Sequence, residues 1–143
     1  MNRPQPWHAL FLCVLTFFPF SRLYANSSSV DLSPNSLNLG SQVIASTSGA
    51  GSVTLTNHLN SPLSIFTIST VGDFTQTNNC QGLLQPGHSC AIKVTFTPSA
   101  VGARSGQLVV THNDDTSPQS ISLSGTATGL SSIAILQTRF PSS

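Results

Sequence analysis

Residues 84–98 read Leu84-Gln85-Pro86-Gly87-His88-Ser89-Cys90-Ala91-Ile92-Lys93-Val94-Thr95-Phe96-Thr97-Pro98. Gln85-Pro86-Gly87 is turn chemistry, because proline presets φ and glycine accepts positive φ without a steric cost. From residue 91 to residue 97 the chain alternates with a period of two. Ile92, Val94 and Phe96 fall on one side, and Lys93, Thr95 and Thr97 on the other. Successive side chains of a strand point to opposite faces, so this is a strand with one face in a core and one in water.

The same alternation recurs on both sides of it. Residues 52–56 place Val53 and Leu55 inward. Leu63, Ile65 and Ile68 form a second apolar set, and the three-residue step from Ile65 to Ile68 predicts a bulge near Phe66-Thr67. Residues 107–111 and 120–124 supply two further strands. A first strand runs through 30–32 and 37–39 and is broken at Ser33-Pro34-Asn35, a proline that suits an edge position. Turn residues fill 59–62, 98–102 and 113–118. Short strands, turn signals between them and no 3.6-residue period predict one antiparallel β-sandwich of about seven strands. It occupies residues 30–127.

Composition agrees. The chain is 38% hydrophobic and 6% charged, with a net charge of +1. It has 24 Ser, 15 Thr, no Glu and a single Lys, Lys93. Helix surfaces draw on Glu, Lys, Arg and Gln, so helices are poorly provided for. A near-zero net charge gives no basic field, so phosphate-driven nucleic-acid binding is not expected.

The first 25 residues are a separate object. Arg3 and His8 precede the apolar run 9–20, and Leu23-Tyr24-Ala25 offers a small residue for cleavage. The run is too short for a membrane span, which needs roughly 20 residues, and suits the apolar core of a signal peptide. Cleavage is predicted after Ala25, which removes Cys13, the only Trp and the only Tyr. Residues 26–29 are then a short linker. The remainder carries Lys93, Arg104 and Arg139 against Asp31, Asp73, Asp114 and Asp115, one net negative charge. Secretion, to a periplasm, cell surface or medium, is the expected localisation. Two cysteines remain, Cys80 and Cys90. In an exported chain the even pair reads as a disulfide, worth roughly 2–3 kcal/mol for a ten-residue loop. In a reducing compartment the same two would be free thiols.

The run Leu84-x-Pro86-Gly87-x-Ser89-Cys90-x-Ile92-x-Val94-x-Phe96-x-Pro98 continues into Gly102-x-Arg104-x-Gly106-x-Leu108-x-Val110 and Pro118-x-x-Ile121-x-Leu123-x-Gly125. Upstream stand Leu32-Ser33-Pro34, Val53-x-Leu55-x-Asn57 and Gly72-Asp73-Phe74. Together they resemble the ASH (ASPM/SPD-2/Hydin-like) immunoglobulin-like domains of bacterial exported "choice-of-anchor D" proteins. The resemblance implies a structural and protein-interaction module that is not an enzyme. It implies that Cys80–Cys90 braces a loop, and that Arg104 makes a structural hydrogen bond to backbone or to a carboxylate such as Asp73. The chain differs from tandem arrays of this kind in showing one repeat, with no sorting motif or apolar 20-mer after it.

Other residues have plain readings. Gly40, Gly72, Gly87, Gly102 and Gly125 are read as turn or bulge glycines. Asp114-Asp115 lacks evident further oxygen ligands for calcium. Asn26-Ser27-Ser28 is a glycosylation sequon at the new N-terminus. No cofactor or metal is expected. His58, His88 and His112 fall at turns or strand ends, and no nucleophile elbow or phosphate loop is present. The expected role is therefore a non-enzymatic interaction or spacer module binding protein partners, with strand addition at a sheet edge as its physical means. The apolar stretch 133–136 in the tail 128–143 is a candidate extra edge strand. A carbohydrate-binding module is the alternative, weakened by the absence of Trp and Tyr from the mature chain. A small hydrolase built on the plentiful Ser, His and Asp is the third reading.

Mass spectrometry of the exported protein is expected to find Asn26 as its first residue. An intact Met1 would contradict the leader.

Overall fold

The computed structural model describes residues 29–80 and 82–130. The leader, its cleavage point, most of the 26–29 linker with its sequon, and the tail beyond residue 130 lie outside the described residues.

Nine strands succeed one another: β1 (Val30–Ser33), β2 (Ser36–Val43), β3 (Gly51–Asn57), β4 (Leu63–Val71), β5 (Phe74–Asn78), β6 (Leu83–Leu84), β7 (Ser89–Phe96), β8 (Gly102–His112) and β9 (Gln119–Thr128). They form two sheets. The first has the order β1-β3-β7-β5 and the second β2-β9-β8-β4-β6. The sandwich is thus all-β, as the alternation predicts, with nine strands in place of about seven.

The excess has physical causes. The single first strand of the sequence reading is two strands. Pro34 has no N–H to give to a ladder, so pairing stops there. Residues 30–33 pair antiparallel with β3 in the first sheet, and residues 36–43 pair with β9 in the second. That second pairing is parallel, which corrects the expectation of an entirely antiparallel sandwich. β6 is only two residues long, and β5 carries a single apolar residue, Phe74, so neither offers an apolar alternation. The bulge in β4 lies between Ile65 and Thr67, where the three-residue step places it, and the displaced Phe66 is 65% exposed.

The core is the inward set of the alternating segments. Val53, Leu55, Ile92, Val94, Phe96, Leu108 and Val110 are fully buried, and Ile121 and Leu123 nearly so. Each such side chain removed from water contributes roughly 1.5–3 kcal/mol before the entropy of ordering it. β7 lies inside the first sheet and β8 inside the second, so both carry this pattern at full contrast.

Two rings dominate one end of the core. Phe74 of β5 and Phe96 of β7 stack with centroids 5.0 Å apart and planes 23° apart. The opposing sheet receives them on glycines. A Cβ on Gly125 would lie 2.6 Å from Phe96 Cε1, and one on Gly106 would lie 2.6 Å from Phe74 Cδ2. Gly40, Gly72, Gly87 and Gly102 take positive φ, but Gly125 does not. It is a strand glycine that admits a ring, which corrects its reading as a turn residue.

Gly125→Val is expected to destabilise the domain by roughly 1–3 kcal/mol, because Phe96 is held by Phe74 and cannot retreat. Urea denaturation measures it, and an unchanged midpoint would contradict this packing.

Candidate functional site

An open sandwich presents its sheet edges to any partner, because edge strands hold unpaired backbone N–H and C=O groups. Here the edges are β1 and β5 in the first sheet, and β2 and β6 in the second; β6 pairs only with Leu63 and Ser64, so the rest of β4 is an edge as well.

Both side seams carry a glutamine that crosses between the sheets. On the β1–β9 side, Gln119 of β9 donates through Nε2 to the Val30 carbonyl of β1 (2.8 Å) and to Thr116 Oγ1 (3.0 Å). On the β4–β5 side, Gln76 of β5 donates through Nε2 to the Ile68 carbonyl of β4 (2.9 Å), and Thr70 Oγ1 donates to the Phe74 carbonyl (2.8 Å). These amides stand in for missing strand neighbours and blunt the edges they cap. The sequence reading misses both. Their signal is a polar residue beginning or interrupting an inward-facing register.

β6 is short and tied down. Cys80 and Cys90 are joined, with Cα atoms 5.1 Å apart, and the bridge closes the loop that carries β6, which pairs with the start of β4. Asn57, fully buried at the end of β3, pins the same region. Its Nδ2 donates to the carbonyls of Ser61 (3.0 Å) and Leu84 (2.9 Å), and its Oδ1 accepts from the Leu59 amide (2.9 Å). The sequence carries a clue to it: Asn57 stands in phase with the inward Val53 and Leu55.

β2 is different. It is an eight-residue edge, interrupted by an irregularity between Asn38 and Ser41, where Asn38 Oδ1 accepts from the Gly40 amide. Its inner flank carries Leu37 and Leu39, only partly buried against the core. Among the described residues, no side chain of the first sheet bonds to its backbone. The side-chain bonds it receives come from Asn38 itself, from Ser46 to the Val43 carbonyl and from Thr128 to the Gln42 carbonyl.

The remaining singled-out residues form two structural clusters. Arg104 Nε donates to Asp73 Oδ2 at 2.5 Å, and Ser99 Oγ donates to Asp73 Oδ1 at 2.8 Å. The cluster ties the β4–β5 corner to the start of β8. The Arg104 hydrogen bond, then that of Ser99, hold the Asp73 carboxyl below the usual carboxylate range. At the opposite end, Ser29 Oγ donates to Asp114 Oδ2 (2.8 Å), and the Asp114 amide donates to His112 Nδ1 (3.3 Å). Hydrogen bonds from Thr116 and then Ser29 lower the Asp114 pKa. His112 is 4% exposed, and its Nε2 has no hydrogen-bond partner among the described residues. Burial lowers its pKa, and the Asp114 charge opposes this in part.

Ser29, His112 and Asp114 are thus neighbours, but in the wrong order for nucleophilic catalysis. A general base must lie between serine and carboxylate. Here the carboxylate itself accepts the hydrogen bond of the serine hydroxyl, and the imidazole accepts one from a backbone N–H. The hydrolase reading finds no support in this geometry. His58 and His88 are exposed at turns. Among the described residues, no three His, Cys, Asp or Glu side chains are grouped to hold a metal, and no helix is long and apolar enough to cross a membrane. Phe66 and Leu83 are exposed apolar side chains near β6, but one ring makes no flat sugar platform.

The shifted groups separate acid unfolding into two stages. The folded protein refuses the proton that unfolded His112 accepts below about pH 6.5. Stability is therefore expected to fall as pH drops through that region. A second loss comes near and below pH ~4, as Asp73 and Asp114 lose charges that the fold favours. His112→Leu should remove the first stage and keep the second. Urea midpoints measured from pH 8 to pH 3 read both, and identical pH profiles in the two proteins would contradict the assignment.

The family model described as "HYDIN/CFA65/VesB-like, Ig-like domain" matches residues 28–126. Among solved structures, the chain is similar to the ASH/PapD-like domain 7 of human CEP192 (TM-score 0.58, 14% identity), covering 72% of this chain and 87% of that one. It is similar to the VesB protease of Vibrio cholerae (TM-score 0.52, 16% identity), covering 69% of this chain but 32% of the protease. It is also similar to a chain of the CsuC–CsuE chaperone–tip adhesion subunit pre-assembly complex of Acinetobacter baumannii (TM-score 0.51, 13% identity), covering 72% and 54%. At these identities the likeness is one of fold. No curated protein matches the chain. With nearly the whole described sandwich inside the matched span, the chain belongs to the HYDIN/CFA65/VesB-like family of Ig-like domains.

Proposed function

We propose that the protein is an exported, non-enzymatic module that binds protein partners or spaces them within an envelope or extracellular assembly. The observation that carries this reading is the uneven treatment of the sheet edges. Gln119 and Gln76 bond across to the backbone of β1 and of β4, the disulfide loop holds β6, and β2 is the eight-residue edge that no side chain of the first sheet bridges among the described residues. Main-chain hydrogen bonds to such an edge supply affinity, and alternate side chains supply selectivity.

Export is supported by the apolar run 9–20 and by the joined cysteine pair, since disulfides persist in oxidising compartments. The finer kinship to bacterial "choice-of-anchor D" proteins rests on the quoted motifs of residues 84–125. A module role is consistent with the neighbours. VesB is a protease of which the similar region is about one third, and the Csu complex is one between a chaperone and an adhesin subunit.

Cross-linking in native cells tests the reading. A photoreactive residue at Ser41, on the outer edge of β2, is expected to capture a protein partner. The same group at Ser124, on the open face of β9, is expected to capture far less. Equal capture from both positions, or binding to a polysaccharide panel in place of protein, would overturn it.

A further inference from the structure

The start of β1 hangs on a relay of hydrogen bonds that begins at a buried imidazole. His112 closes β8, a strand flanked by β9 and β4. Its Nδ1 accepts the Asp114 amide (3.3 Å), so the neutral ring carries its proton on Nε2, which has no hydrogen-bond partner among the described residues. Asp114 Oδ2 accepts from Ser29 Oγ (2.8 Å), one residue before β1, and from Thr116 Oγ1 (2.7 Å). Thr116 Oγ1 in turn accepts from Gln119 Nε2, which also donates to the Val30 carbonyl. The β8–β9 loop thus fastens β1 through Ser29 and Val30. β1 is itself a four-residue edge strand beside β3. The same loop is tied to β4 by main chain as well. The Asn113 amide donates to the Ser64 carbonyl (3.1 Å), and the Ser64 amide donates to Asn113 Oδ1 (2.8 Å).

We propose that this relay is an acid-sensitive latch: a proton taken up by His112 is accommodated by releasing the start of β1, while the rest of the sandwich stays closed. Protonation turns Nδ1 into a donor, so it no longer accepts the Asp114 amide. It also creates a buried cation, which needs a counter-charge. The titratable groups around it are few. Asp114 and Asp115 come from its own loop, and His58 and His88 from neighbouring turns. Asp31 comes from β1, where its place between the inward Val30 and Leu32 turns it outward. β4, β6 and β9 bring none. The charge that acts on the imidazole is that of Asp114. Its Oδ2 already serves Ser29 and Thr116, so turning it to the imidazolium gives up the Ser29 bond. The latched form keeps the ring neutral, and the released form lets it titrate near its ordinary value of about 6.5. Release is therefore favoured as pH falls, by up to about tenfold between pH 7.5 and 5.5. The device works at β1 and needs no partner, so it stands apart from the function proposed above.

Hydrogen exchange read by mass spectrometry on the whole purified protein, corrected for the intrinsic exchange rate at each pH, tests it. Peptides covering 29–33 are expected to be less protected than those covering 91–97, and to lose up to tenfold in protection between pH 7.5 and 5.5. Peptides covering 74–78, the opposite edge of the same sheet, are expected to keep theirs. His112→Leu should make the protection of 29–33 independent of pH over that range. Ser29→Ala, which leaves the imidazole in place, should lower it severalfold already at pH 7.5. A flat pH profile for 29–33 in the parent would overturn the proposal. So would an equal loss in 29–33 and 74–78, which would mean that the whole domain opens. Unchanged protection in Ser29→Ala would overturn the fastening itself. Failure to find a partner in cells would bear on the proposed function alone and would not alter these exchange rates.

Discussion

The fit of two aromatic rings onto two glycines sets the distance between the sheets. Phe74 and Phe96 stack on each other in the first sheet, and Gly106 and Gly125 on adjacent strands of the second leave the space their rings fill. Stacked sheets ordinarily stand about 10 Å apart, filled by interdigitating side chains. At this end large groups come from one side only, so the other side must give up its Cβ atoms. The rest of the architecture depends on that closeness. β8 and β9 can run beneath the rings, and the Asp73–Arg104 pair can reach from the β4–β5 corner to β8.

The outer faces of the strands carry little charge. Neighbouring strands are linked by hydroxyl pairs: Thr67 with Thr111 (2.6 Å), Thr75 with Thr95 (2.8 Å) and Thr56 with Ser89 (2.9 Å). β-branched threonine suits a strand, and its hydroxyl satisfies a partner across the ladder, so each pair contributes a few tenths of a kcal/mol. A surface built this way has little charge to repel a second sheet. Edge control therefore falls to other devices. The glutamine bridges close two seams, and the irregularity at Gly40 interrupts β2. The bridges act on β1 and β4, whereas β2 is blunted only by that irregularity and receives no bridge from the first sheet among the described residues.

The central strands are legible in the sequence because their periodicity is simple. Ile92, Val94 and Phe96 are inward in β7, as are Leu108 and Val110 in β8, and the β4 bulge announces itself by a three-residue step. The sheet switch at Pro34 is not legible. Alternation says which way a side chain points, but not which sheet the strand joins. Gly125 looks like a turn residue because nothing in a single sequence distinguishes a glycine that bends the chain from one that admits a ring. His112 reads as a strand-end residue and is buried in the core's rim. The side-chain bridges of Gln76 and Gln119 depend on residues far apart in sequence. They appear only once the two sheets face each other.

The seating of the rings can be read directly by proton NMR. Gly125 Hα and Gly106 Hα should be shifted upfield by the ring currents of Phe96 and Phe74 and should show nuclear Overhauser contacts to those rings. Resonances at ordinary glycine positions with no contact to either ring would mean that the sheets do not close on each other as described, and the sandwich would have to be rebuilt.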